Sequence, residues 1–461
     1  MEKRIDLTEG KIVEKLIKLA LPIMGTSFIQ MAYNMTDMIW IGKVGSKAVA
    51  GVGTAGFFPW LAIAFIMISK TGAEIKVAQK IGEKNIKKVK SYIISAIQIN
   101  IALAIIYTLV LLIFNNSLIG FFNLGDSEVI SMAKTYLIIV AIGMIFTFIN
   151  PVFTAIFNGV GSSKTPFIIN TIGLIFNMVF DPVLILGIGP FPKWGVAGAA
   201  IATVGAQVIV SLCFIFIIIK SKEEYLKINI LKRPEYRYIK ILFQIGLPGG
   251  IQNGLFTIFS MCIGRIIAVF GPVPIAVQKV GSQIEAISWM TAGGFSTALG
   301  TFVGQNYGSK KYERINKGVK VTIIMAVIIG ILATFLLVFA GDHVFRFFLN
   351  DPEAVEQGKV YLRILGYSQL FMCIEITITG AFNGLGRTYI PSIISILLTG
   401  ARVPASYILS QANLLGMDGI WWSISISSVL KGIILISIYL FLFKINKLYK
   451  KYHKNSEELV S

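Results

Sequence analysis

Two groups of oxygen-bearing side chains interrupt an otherwise apolar chain. Thr26, Gln30, Asn34 and Asp37 recur at i, i+4, i+8 and i+11, a spacing that lines them along one stripe of an α-helix. Asn177 and Asp181 lie four residues apart on one helical face, and Pro182 follows directly. Proline has no N–H, so the carbonyl of Met178 loses its helical donor and becomes one more oxygen near the pair. Thr203 adds a hydroxyl. Two carboxylates, an amide and a hydroxyl make either an oxygen site for Na⁺ at Asp37, Asn177 and Asp181 or a carboxylate that takes up and releases a proton.

A second group lies in the other half of the chain. Gln278, Ser282, Glu285 and Trp289 share a helical stripe, and Glu375 sits between Cys373 and Thr377. Two chemistries are open to Glu285 and Glu375. Each neutralises a bound cation, with Trp289 offering an aromatic face, or each pairs with Arg265 or Arg402, which also fall in apolar runs. With Gln30 and Asn34, the stripe residues and Glu375 are the expected substrate contacts. Lys279 and Lys431 are expected to reach an interface with their long stems.

These residues sit inside elements that water cannot surround. Of 461 residues, 55% are hydrophobic and only 14% charged, against about 25% charged in ordinary soluble domains. Residues 99–114 and 321–340 are apolar all the way round, which implies lipid contact. Twelve such segments are expected, near 16–41, 48–70, 90–114, 130–157, 166–188, 197–220, 241–270, 275–301, 317–340, 357–383, 390–410 and 420–444. The first, seventh and tenth look longer than a bilayer requires. The class is therefore an all-α integral membrane protein.

A net charge of +19 suggests nucleic acid only if its lysines share a face. They sit instead in short clusters between apolar segments, at the start of the chain, over 70–90, 220–240 and 310–320, and at the end. Most of the 42 basic residues then fall on one side of the membrane, which places both termini in the cytoplasm of a cell-membrane protein and requires an even number of crossings. Cys213, Cys262 and Cys373 lie in apolar runs, without a C-x-x-C, and read as small core residues. His343 and His453 form no ligand pair. The first apolar run lacks a small-residue cleavage site and reads as a retained helix.

The chain also repeats itself. Leu21-Pro22 returns as Leu247-Pro248, and Gln79-x-x-Gly82 returns as Gln305-x-x-Gly308 at the same spacing. Phe157-Asn158-Gly159-Val160-Gly161 returns, just out of that register, as Phe382-Asn383-Gly384-Leu385-Gly386. Six helices per repeat send both halves into the membrane in one direction, giving two pseudo-symmetric lobes, an architecture of alternating-access transporters. The expected divisions are an N-terminal lobe over 1–220, a cytoplasmic linker over 221–240, a C-terminal lobe over 241–444 and a tail over 445–461. Asp37 falls opposite Ile263 in the repeat, so its acid belongs to one lobe only.

With these motifs in order along the whole chain, the sequence resembles the multidrug and toxic compound extrusion (MATE) family. The carriers are Leu21-Pro22, Thr36-Asp37-x-x-Trp40-Ile41-Gly42, Gly304-Gln305-Asn306-Tyr307-Gly308, both Asn-Gly-x-Gly turns and Asn177-x-x-x-Asp181-Pro182. Asp37 and the Asp-Pro pair resemble the bacterial DinF-like branch. The resemblance implies export of amphiphilic organic cations against a proton or sodium gradient, no cofactor beyond that ion, and Tyr136 as a hydrogen-bond partner of the Asp37–Asp181 cluster. Each chain holds both lobes and needs no partner subunit, so a monomer is expected.

Competing classes fit less well. The major facilitator class carries an Asp-Arg-x-Gly-Arg type run where this chain has Gly72-Ala73-Glu74 and lysines. A flippase for lipid-linked precursors, also found in the wider superfamily, predicts a strongly basic interior, whereas only about four basic residues lie in the helices here, against several acids. No H-E-x-x-H, G-x-S-x-G or phosphate-binding loop is present, and no enzyme is expected.

Overall fold

The computed structural model describes residues 4–346 and 351–444. The tail expected over 445–461, with His453, lies outside these residues. Twelve long helices run in order: α1 (Ile12–Val44), α2 (Ser46–Gly82), α3 (Ile86–Ile113), α5 (Ser127–Val160), α6 (Lys164–Leu186), α7 (Val196–Lys220), α8 (Tyr236–Ala268), α9 (Pro272–Gly308), α10 (Tyr312–Phe339), α12 (Pro352–Gly384), α13 (Tyr389–Leu409) and α14 (Asp418–Lys444). Two six-residue helices, α4 (Asn115–Gly120) and α11 (Gly341–Arg346), fill loops too short to show a readable periodicity. No strand occurs among the described residues.

Among the described residues, ten helices are long and apolar enough to cross a membrane. The other two long ones, α1 and α9, carry the polar stripes of Asp37 and Glu285, which lower their hydropathy without shortening them. The first, seventh and tenth crossings, α1, α8 and α12, run to 33 residues each, longer than a bilayer requires, and α2 and α9 are longer still, at 37. Both run on past their apolar stretch into a polar end, because lysine, glutamate and glutamine sustain a helix as well as leucine does.

The repeat extends to the packing. Ser46 and Pro272, Ile86 and Tyr312, and Asn115 and Gly341 open matching helices, each pair at the spacing of the two Leu-Pro motifs. Asp126 caps α5 by accepting from the Glu128 N–H at 2.8 Å, and Asp351 caps α12 through the Glu353 N–H at 2.9 Å. Without such caps the first N–H groups of a helix lack partners. Lys47 reaches Asp126 at 3.0 Å and Glu128 at 2.7 Å, tying the starts of α2 and α5 together.

Helices α5 and α12 end in the same left-handed turn. Gly161 (φ 91°) and Gly386 (φ 77°) occupy a region that a Cβ disfavours. Their N–H groups return to the carbonyls of Asn158 at 2.9 Å and Asn383 at 2.7 Å. The repeated Asn-Gly-x-Gly is thus a helix stop with a close-packing step inside it. A Cβ on Gly159 would lie 2.7 Å from the Glu74 carbonyl oxygen of α2, and one on Gly384 would collide with the Gly300 carbonyl of α9.

Within the first lobe α5 packs on α2, α3 and α7, and within the second α12 packs on α9, α10 and α14. These central helices bury the largest share of their apolar stretch.

The compact units cut the chain differently from the repeat. One comprises Lys18–Gly250 with the described residues up to Asp6, and the other Leu7–Ile17 with those from Ile251 onward. In the first, Gly72, Gly246 and Gly250 let α2 and the start of α8 approach backbone to backbone. In the second, Leu7 is fully buried. Its N–H donates to Gln305 Oε1 at 3.4 Å, and its carbonyl accepts from Asn306 Nδ2 and Arg314 Nε, each at 3.1 Å. The Gln305-Asn306 motif therefore holds the N-terminal segment.

Candidate functional site

In the first lobe four helices bring the expected acids together. Asn177 and Asp181 lie on the buried face of α6, both at 0% exposure, and Asn177 Nδ2 donates to Asp181 Oδ1 at 3.0 Å. Asp37 enters from α1, and Thr203 Oγ1 of α7 reaches its Oδ2 at 3.4 Å. The two carboxyls are near enough to interact directly, and Asn177 also lies within reach of Asp37. Tyr136 of α5 stands beside Thr203 and Asp37.

Three oxygens in this cluster have no protein partner: Asp37 Oδ1, Asp181 Oδ2 and Asn177 Oδ1. No basic side chain among the described residues pairs with either aspartate. Two buried carboxylates in contact repel each other unless a proton or a cation lies between them. The donor set suits one monovalent cation or one shared proton.

The stripe on α1 divides. Asp37 faces α6 and α7, while Gln30 and Asn34 are exposed. Thr26 and Gln30 border a small cavity with Tyr33, Asn170, Gly173 and Gln207, between α1, α6 and α7. Two features went unread in the sequence. Tyr33 donates its hydroxyl to the Thr203 carbonyl at 3.3 Å. Asn150 of α5 donates to Gln207 Oε1 at 2.9 Å and accepts from Ser211 at 2.6 Å. Tyr33 lies one turn before Asp37, a spacing that signals proximity, whereas nothing local marks Asn150.

The second lobe holds a different network at repeat-related positions. Glu285 of α9 accepts from Tyr361 OH at 2.6 Å and from Gln369 Nε2 at 3.1 Å. Ser288 steadies Gln369 at 2.7 Å. Tyr361 follows Tyr136 at the spacing that separates the two Asn-Gly-x-Gly turns, so a tyrosine serves this place in both lobes. Arg402 stands in the same relation to Asn177. It donates to Ser427 and, at 2.9 Å, to Ser428.

Several expectations change here. Glu375 is paired at 3.0 Å with Lys431, and the two side chains are only 10% and 9% exposed. Lys431 therefore does not reach an interface, because a buried acid holds it. Arg265 is exposed on α8, so it is no partner for either glutamate. Arg402 is buried but donates to serines. On α9, Ser282 and Trp289 are exposed while Glu285 turns inward, and Gln278 keeps Oε1 buried without a partner. Only Cys373 is a core cysteine. Cys213 is partly covered and Cys262 exposed, since both lie on the outer faces of their helices.

Twelve long helices in two repeated lobes, ten of them apolar enough to cross a membrane among the described residues, with a buried acid pair in one lobe and a mixed-charge network in the other, describe a multi-pass membrane transporter. A family model described as MatE matches residues 22–183 and again 248–408, one match per lobe. The chain belongs to the MatE family, a family of transporters. It is 29% identical over 412 residues to the probable multidrug resistance protein NorM of Thermotoga maritima, covering 89% of this chain and 88% of that protein. The probable multidrug resistance protein YoeA of Bacillus subtilis is 25% identical over 434 residues, covering 92% of each. The fold superposes with a TM-score of 0.88 on a structure described as the outward-facing conformation of a multidrug resistance MATE family transporter of the MOP superfamily. That match is 22% identical and covers 97% of this chain and 100% of the other.

Proposed function

We propose that the protein is a secondary antiporter of the cell membrane that exports organic cations in exchange for H⁺ or Na⁺ by alternating access, with both termini in the cytoplasm. The observation that carries this reading is the Asp37–Asp181 cluster. Its partnerless oxygens come from α1 and α6, it touches no basic group, and it exists in one lobe only. A cation or proton bound there draws α1 toward α6 and α7, and its departure releases that helix. Movement of α1 shifts Gln30 and Asn34 with it, which links ion binding to the polar surface offered to substrate.

In the second lobe Glu285 accepts hydrogen bonds from neutral donors only and feels Arg402 through charge without a hydrogen bond, so it is the acid left to meet a cation, with Trp289 one turn on as an aromatic face. Glu375 is already neutralised by Lys431 and has no such role. The relatives' names as multidrug resistance proteins support this choice of cargo. The test is ethidium transport by the purified chain in liposomes, with proton and sodium gradients imposed separately. Gradient-driven uptake is expected under at least one, and absence under both refutes the reading.

A further inference from the structure

The segment joining the lobes does not run free in solvent. It leaves α7 at Lys220, makes a single 3-10 turn (Glu224–Leu226) and enters α8 at Tyr236. Its contacts with α3 fix its path. Lys90, near the start of α3, pairs with Glu224 at 3.2 Å. Gln98 then donates to the carbonyls of Ile230 at 2.8 Å and Lys232 at 2.7 Å. Tyr238 finally packs edge-on against Tyr92, with ring centroids 4.8 Å apart. The segment thus descends from the level of Lys90 to that of Gln98 and climbs back. Those two α3 residues stand about 12 Å apart along the helix axis, and the segment dips by up to that much.

The dip follows a particular face of α3. Ala102, Ile106 and Leu109 continue the stripe of Gln98 at helical spacing, and all are exposed. No charged residue lies on α3 beyond Lys90. This is the lipid-facing side of a membrane-crossing helix, so the tip of the dip lies beside lipid. Its residues suit that place. Tyr225 and Leu226 are buried against α3 and secure the near arm. Asn229 closes the turn by accepting from the Leu231 N–H at 3.0 Å. That turn projects Leu231 outward at 94% exposure, with Ile230 at 41%. Lys227 and Arg233 flank the tip, both exposed and without an ion pair among the described residues. Lys232 is occupied by Glu235 at 2.6 Å.

We propose that the turn over 229–233 is an anionic-lipid anchor, with Leu231 seated at the headgroup–acyl boundary and Lys227 and Arg233 on the lipid phosphates. An exposed leucine between two unpaired cations, lowered along a lipid-facing helix, is the arrangement that holds amphipathic segments in a charged interface. The long basic stems let the charges stay with the headgroups while the leucine goes deeper. Gln98 satisfies two carbonyls that would otherwise enter the interface without donors. The anchor also fixes the start of α8, which follows within a few residues.

The test uses a spin label at Leu231→Cys in a full chain whose own cysteines are replaced (Cys213→Ser, Cys262→Ser, Cys373→Ala). Labels at Lys84→Cys and Ile106→Cys serve as aqueous and lipid references. Collision with oxygen and with a water-soluble nickel chelate is measured in phosphatidylglycerol and in phosphatidylcholine vesicles. The label at 231 is expected to favour oxygen at a depth between the two references, and to lie deeper in phosphatidylglycerol. A profile matching Lys84→Cys in both lipids overturns the proposal. So does one depth in both lipids, since the basic flank would then select nothing. A label at Ile230→Cys provides the same reading should the first variant fail to insert.

Discussion

Glu375→Gln leaves a buried lysine without its acid, and the surroundings set the size of the effect. Lys431 and Glu375 meet at 3.0 Å with side chains 9% and 10% exposed. The other charges in this part of the lobe are Arg402 and Glu285. In the native network two cations face two acids. Glu375→Gln leaves Lys431 and Arg402 against Glu285 alone, and Lys431→Met leaves two acids against Arg402. Each single change strands one charge, and breaking a buried pair in this way costs about 3 kcal/mol. That is roughly two orders of magnitude in the folding equilibrium. The double variant restores neutrality and is expected within about 1 kcal/mol of wild type, because both desolvation costs vanish with the charges. The assay is reversible unfolding in mixed micelles with increasing dodecyl sulfate, followed by circular dichroism, across the four members of the cycle. Single variants as stable as wild type, or a double variant as damaged as the sum of the singles, would refute the argument.

Three further outcomes are expected. Gly384→Val should destabilise by about 1–3 kcal/mol, because its side chain must displace the Gly300 backbone, whereas Gly42→Ala, with nothing within 4 Å, should be near neutral in the same unfolding assay. Asn306→Ala should release the carbonyl of Leu7, seen as faster amide exchange over residues 5–9 and quicker tryptic cutting at Lys11 with exchange in α12 unchanged. Tyr361→Phe removes the 2.6 Å donor to Glu285, a hydrogen bond to an ionisable group worth about 1.5–3 kcal/mol, and should lower stability where Tyr367→Phe does not.

The helices were legible in the sequence because their signal is local. Apolar stretches long enough to cross a bilayer fix their existence, and repeated motifs such as Asn158-Gly159-Val160-Gly161 mark where they stop. Their lengths were less legible. Lysine-rich ends such as 76–80 remain helical without being apolar, so α2 outran its hydropathy. The acid cluster was readable because Asp37, Asn177 and Asp181 are polar groups in places where polarity is costly. Partners across helices were not. Nothing near Glu375 points to Lys431 two helices further along the chain, and an arginine in an apolar run reads the same whether it meets an acid, as expected, or serines, as Arg402 does. The repeat offers the missing signal in part, since the spacing that relates the two Asn-Gly-x-Gly turns also relates Tyr136 to Tyr361. The descent of the linker along α3 depends on Gln98, an isolated amide whose partners are backbone carbonyls and leave no mark in the sequence.

The measurement closest to the central claim compares wild type with Asp37→Asn and Asp181→Asn in the same liposomes, reading ethidium flux as the proton or sodium gradient is varied. Asparagine keeps the shape and hydrogen bonding of each site but can neither take up a proton nor offer a charge to Na⁺. Flux that follows the gradient in wild type and loses that dependence in both variants, with the proteins still folded, is the expected result. Unchanged gradient dependence in Asp37→Asn would contradict the assignment of the coupling site to this cluster.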